Sequence, residues 1–180
     1  MIILQANQPI DKQANEQTNK PAKCLLFLRW FVAGFGSGWL PKAPGTWGSL
    51  AALPVGYGIW LLWPIQGLFI ASFILLALGC MACVPVLRHM TEQDPGWIVV
   101  DEWVGQWICM AIIAIYADLT IFSIFSCFLA FRLFDIWKPF PIRQVEHWGP
   151  AWWSIMFDDV VAGVMGAALL LLLGWVFYAI

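Results

Sequence analysis

The sequence predicts an all-α fold: a polytopic membrane helical bundle of four to five spans, entered through a Gly-rich N-terminal loop that is either re-entrant or interfacial. Three observations predict it. Hydrophobic residues make up 62% of the chain and charged residues 11%, against roughly 45–50% and about 25% in soluble domains. The apolar residues gather into long runs, and mean hydropathy is +0.79. Of the nine Lys and Arg and eleven Asp and Glu, all but Asp118 fall in one alternating set of connections. At 180 residues the chain holds one domain, and its net charge of −2 gives no reason to expect a nucleic-acid partner.

In order along the chain, "MIILQANQPIDKQANEQTNKPAK" is polar and reads as a mobile cytoplasmic tail, residues 1–23, leaving residues 24–180 as the membrane-embedded domain. The apolar run that follows is broken by Arg29, so it is not a secretory signal. It is also too short to cross a bilayer. Next comes "GFGSGWLPKAPGTWGSL", residues 34–50, with five glycines and two prolines. It fits neither G-x-x-x-x-G-K-[ST] nor G-x-G-x-x-G. Two readings stay open for it. Its backbone N–H groups and the Thr46 hydroxyl hold an anionic head group, or Thr46 or Ser49 caps the next helix.

Candidate spans follow at 49–66, 67–87, 102–117, 119–134 and 155–178. Several hold only about 16 residues where ~20 are usual, so tilt or local thinning is expected. Pro54, Gly56 and Gly58 interrupt the first. Cys80 and Cys83 form a C-x-x-C inside an apolar run without a second pair, and read as packed helix residues. Ala162, Gly163, Gly166 and Ala167 recur at helical spacing, a pattern for close helix packing.

All nine basic residues lie on the side that the positive-inside rule assigns to the cytoplasm. A transporter needs polar groups near the midplane of its spans, so any chemistry here belongs at the cytoplasmic surface. Asp101 and Glu102 open the third span, Asp135 closes the fourth, and Asp158 and Asp159 are expected in the first turn of the last. Five carboxylates from three spans would repel one another unless compensated. A divalent cation is one answer: hard oxygen donors with neither Cys nor clustered His suit Mg²⁺. The other is the basic set Arg132, Lys138 and Arg143. Carboxylates, metal and cations in one place are what phosphoryl transfer requires. His147, in the same loop, could protonate a leaving alkoxide or serve structurally.

Four segments, "GFGSGWLPKAPGTWGSLAALP", "DPGWIVVDEWVGQWI", "FRLFDIWKPFPIRQVE" and "IMFDDVVAG", resemble in order the signatures of the phosphatidylglycerophosphatase A family. Together they reach from about residue 31 to residue 168. The resemblance implies a Mg²⁺-dependent lipid phosphatase of the bacterial inner membrane with its site facing the cytoplasm. It would hydrolyse phosphatidylglycerophosphate to phosphatidylglycerol and inorganic phosphate. By the same resemblance the acidic positions are Asp101, Glu102, Asp135, Asp158 and Asp159 and the basic ones Arg132, Lys138 and Arg143. Within this set Asp101, Glu102, Asp158 and Asp159 are expected to form the metal-binding core, and Asp135 to be a further ligand or to orient water. Arg132, Lys138, Arg143 and Thr46 would hold the substrate. The chain departs from the family in reading "WGPAWWSIM" before the Asp pair, with Pro150, Trp152 and Trp153 added, and in placing Phe140 where Trp is usual. The competing expectation is a small ion- or metal-coupled carrier that uses the same acids without turnover.

Overall fold

The computed structural model describes residues 23–92 and 94–178, and every regular element among them is helical. The expected tail lies outside the described residues except for Lys23, which opens α1 (Lys23–Val32). A 3₁₀ segment, Gly34–Trp39, leads into α2 (Pro44–Leu62), α3 (Gln66–Leu87), α4 (Val100–Ile113) and α5 (Ile121–Trp137). A single turn, α6 (Ile142–Val145), precedes α7 (Ala151–Tyr178).

The five expected spans are thus five helices, displaced by a few residues. Two of them, Gln66–Leu87 and Ala151–Val176, are long and apolar enough to cross a membrane, with mean hydropathy 2.5 and 2.1. At about 1.5 Å per residue, the 14 residues of α4 cover only about 21 Å. That helix is the hub of the molecule rather than a lipid-facing element: all its residues but Glu102 and Ile112 are buried. It packs against α2, α3, α5 and most extensively α7.

Small residues set these approaches. A Cβ on Gly163 would fall on the carbonyl oxygen of Gly105, and one on Gly105 would lie 2.5 Å from the Asp159 carbonyl oxygen. One on Gly166 would lie 3.0 Å from the Phe131 backbone nitrogen. The Ala162–Ala167 pattern therefore brings α7 backbone to backbone against α4 and close against α5. On the other flank, Trp107 Nε1 donates to the Ala52 carbonyl at 2.9 Å, joining α4 to α2. Cys83 is buried in the core and Cys80 is half-buried beside it, as packed helix residues.

Two N-termini differ from expectation. Helix α2 begins at Pro44 rather than near residue 49, because Pro suits the first turn, where its missing N–H leaves nothing unpaired. Its N-cap, Ala43, is left-handed (φ 51°, ψ 60°) and no side chain caps it. The Ser49 hydroxyl donates instead to the Gly45 carbonyl at 2.8 Å. The second difference is a correction. Asp158 and Asp159 are not in the first turn of the last helix, since α7 begins at Ala151 and places them two turns inside. Pro150 starts this extension by accepting from the N–H groups of Trp153 and Ser154. Trp153 then stacks on Phe157 one turn later, with ring centroids 3.8 Å apart. What reads as a loop rich in Trp is helix.

Candidate active site

Antiparallel helices joined by short turns return the same ends to the same level. The heads of α2 and α4, the tail of α5 and the second turn of α7 meet at one end of the bundle. There Asp101 and Glu102, in the first turn of α4, face Asp159 of α7. One carboxylate oxygen from each lies within 4.8 Å of the other two. Asp101 and Asp159 are buried, and Glu102 nearly so. Each acidic pair is arranged alike: the first acid turns back to accept the N–H of the second, Glu102 N to Asp101 Oδ1 at 3.1 Å and Asp159 N to Asp158 Oδ1 at 3.0 Å.

The two remaining acids are held by cations instead. Arg132 is ion-paired with Asp135, one turn along α5, and lies 3.9 Å from Glu102 Oε1. It also donates to Ser49 Oγ at 3.5 Å, which links it through the Ser49–Gly45 hydrogen bond to the head of α2. Lys138 Nζ bridges Asp158 Oδ2 at 2.9 Å and Glu146 Oε1 at 2.8 Å. Burial opposes its charge, but the hydrogen bond to Glu146 and the charge of Asp158 prevail, raising its pKa above the ordinary lysine value. Lys138 is thus an ammonium throughout the neutral range. It stands in the left-handed region as the C-cap of α5 (φ 45°, ψ 56°), so the chain turns there toward α7.

Of the residues singled out in the sequence, the structure brings Asp101, Glu102 and Asp159 together, with Arg132 and Asp135 alongside. Asp158 stands outside the 4.8 Å group: its Oδ2 is held by Lys138, and it lines a cleft of about 300 Å³ with Asp94, Glu146, His147 and Ser154. Thr46 is half-buried in the first turn of α2. Its neighbour Gly45 sits so close to the triad that a Cβ would meet Glu102 Oε1 and Arg132 Nη1. Arg143 is exposed on α6 and, among the described residues, makes no ion pair; with Lys138 it lines a separate cleft of about 420 Å³.

Three participants were not singled out. Glu146 completes the Lys138 bridge, and its only trace in the sequence is an acid in a basic loop. Ser49 appears there as a cap rather than as a partner of Arg132. Gln106 is wholly buried one turn below Glu102. A glutamine inside an otherwise apolar helix was the available signal, since polar residues within spans face the bundle interior.

The donor set fits a hard divalent cation. It offers carboxylate oxygens only, three of them converging within 4.8 Å. Arginine beside it suits an anionic ligand.

Comparison with known proteins shows the family. Residues 30–174 match the family model described as Phosphatidylglycerophosphatase A. Phosphatidylglycerophosphatase A of Haemophilus influenzae is 38% identical over 149 residues, which cover 81% of this chain and 90% of that protein. Phosphatidylglycerophosphatase A of Escherichia coli K12 is 37% identical over 144 residues, covering 79% and 81%. A Bacteroides thetaiotaomicron protein, provisionally named phosphatidylinositol-3-phosphatase, is 34% identical over 146 residues, covering 79% and 91%. No solved structure matches. The chain belongs to the phosphatidylglycerophosphatase A family.

Proposed function

We propose that this protein is a Mg²⁺-dependent membrane lipid phosphatase that hydrolyses phosphatidylglycerophosphate to phosphatidylglycerol and inorganic phosphate. The observation that carries the reading is the triad: Asp101, Glu102 and Asp159, from two helices, turn carboxylate oxygens toward one point beside Arg132. Three carboxylates held so close, with one cation among them, call for further positive charge. Names of relatives at 37% and 38% identity supply the substrate.

In this reading Asp101, Glu102 and Asp159 hold the metal, which when bound would polarise the phosphoryl oxygens and activate water for in-line attack. Arg132 neutralises charge developing on the phosphoryl group, and Asp135 fixes its guanidinium. Glycine at position 45 lets the head of α2 approach, so that its backbone N–H groups and Thr46 meet the phosphate. Asp158 acts one step removed by anchoring Lys138 to α7. Lys138 and the exposed Arg143 then face the lipid's phosphodiester.

The bundle spans the bacterial inner membrane with α2, α3, α4, α5 and α7, as one domain over residues 24–180. The site faces the cytoplasm, the side of the basic residues. The acyl chains stay in the bilayer while the head group reaches the carboxylates. The test is phosphate release from phosphatidylglycerophosphate by protein purified in mild detergent. Release with Mg²⁺ that stops on adding excess chelator is expected. Folded protein that releases none with accessible lipid would favour a metal-coupled carrier instead.

A further inference from the structure

Among the described residues, the buried polar atoms without a partner are concentrated around one helix face. They include Glu102 Oε2, Arg132 Nε, and both Oε1 and Nε2 of Gln106. Gln106 is 0% exposed. A buried amide with neither half satisfied is costly, and in native proteins such a group has an explanation. Here four of the five unpaired atoms complement one another, the fifth, Trp103 Nε1, lying apart beside Gly34. Two are acceptors, Glu102 Oε2 and Gln106 Oε1, and two are donors, Arg132 Nε and Gln106 Nε2. Position matches chemistry as well. Gln106 follows Glu102 by four residues on α4, so their side chains share a face with Cβ atoms about 5–6 Å apart. Arg132 reaches the same face from α5 and already lies 3.9 Å from Glu102 Oε1.

From this balance we infer that Gln106 is a positioning residue for the carboxylate triad. Its Nε2 donates toward Glu102 Oε2 and its Oε1 accepts from the side of Arg132 Nε, each through a bridging water. The amide fixes the outward oxygen of Glu102 toward Asp101 and Asp159 and prevents Arg132 from collapsing onto it. This is the support that ligating carboxylates receive from a surrounding shell, whose loss typically costs about 10–100-fold in metal affinity or activity. The inference rests on the metal reading above and goes beyond it by naming a residue that touches neither metal nor substrate.

The test is Gln106→Met, which keeps the side-chain volume and removes both polar atoms. Mn²⁺ binding to detergent-purified protein is measured by electron paramagnetic resonance, together with the melting temperature without metal. The expected result is a Mn²⁺ dissociation constant about 10–100-fold weaker than wild type. Unchanged Mn²⁺ binding with a raised melting temperature would overturn the inference, because removing an amide that is truly unsatisfied stabilises a fold. If Gln106→Met does not fold, Gln106→Asn retains both polar atoms but withdraws them by one methylene. It should weaken Mn²⁺ binding in the same direction, and unaltered binding there overturns the inference equally. Wild-type protein that binds no Mn²⁺ sinks the metal reading first, and the inference with it.

Discussion

Asp158 and Asp159 are neighbours in sequence with different partners. One faces a lysine, and the other turns into a site where Arg132 is the near cation. On a helix, adjacent residues point about 100° apart, so a side-by-side pair serves two clusters at once. The expected consequence is a divergence in mutant behaviour. Asp159→Asn should leave the protein folded in the membrane and lower the rate of phosphate release by at least about 10²-fold, since it removes charge and a ligand oxygen together. Full turnover by that variant would remove Asp159 from the site. The identity of the acids was legible in the sequence because charge is rare in this chain. Their partition was not. "FDD" shows two equivalent acids, and only the rotation of α7 relative to Lys138 and α4 separates them.

The element that fixes this rotation is the α4–α7 pair. Its approach is set by Gly105 and Gly163, where backbone meets backbone and no side chain can yield. Gly163→Ala should therefore destabilise the protein by about 1–3 kcal/mol, the usual range for overpacking, and should weaken metal-dependent activity by parting Asp159 from Asp101 and Glu102. Gly58→Ala provides the contrast. No atom lies within 4 Å of a Cβ there, and position 58 is inside α2. That change should be neutral or stabilising by up to about 1 kcal/mol. Melting temperatures of the two variants in one detergent decide the matter. A milder effect at 163 than at 58 would remove the contact from the account. Small residues at helical spacing signalled that α7 packs closely, but did not reveal its partner. The ends of the helices were read less well than their existence. The start of α4 was found within two residues because Asp101 and Glu102 mark it, whereas four residues of α7 were read as loop because Pro150 precedes them and two of them are Trp.

Across the whole molecule the asymmetry of charge is the organising fact. The residues that meet at the site come from the connections and helix ends that carry nearly all charge, while Asp118 stands alone at the opposite end. On the proposed five-crossing topology, a single cysteine introduced at Thr120 should react with a membrane-impermeant maleimide from the periplasmic side of intact spheroplasts. One introduced at Lys42 should react only after permeabilisation, both being made in a background from which exposed Cys24 has been removed. The reverse pattern would invert the topology and move the carboxylates outside. Shortness of the helices is the part composition could not explain. Helix α4 covers only 14 residues and is enclosed by its neighbours, so on the proposed topology the bilayer has to thin or the connections at its ends have to complete the crossing.

The order of the chain adds a constraint in time. Asp101 and Glu102 leave the ribosome more than fifty residues before Asp159, and the backbone that lies against Gly105 arrives only with Gly163. Throughout the synthesis of α5 and α6 the nascent protein carries its first two acids without the third. The cluster, and whatever chemistry it performs, is therefore complete only once the last helix packs against α4.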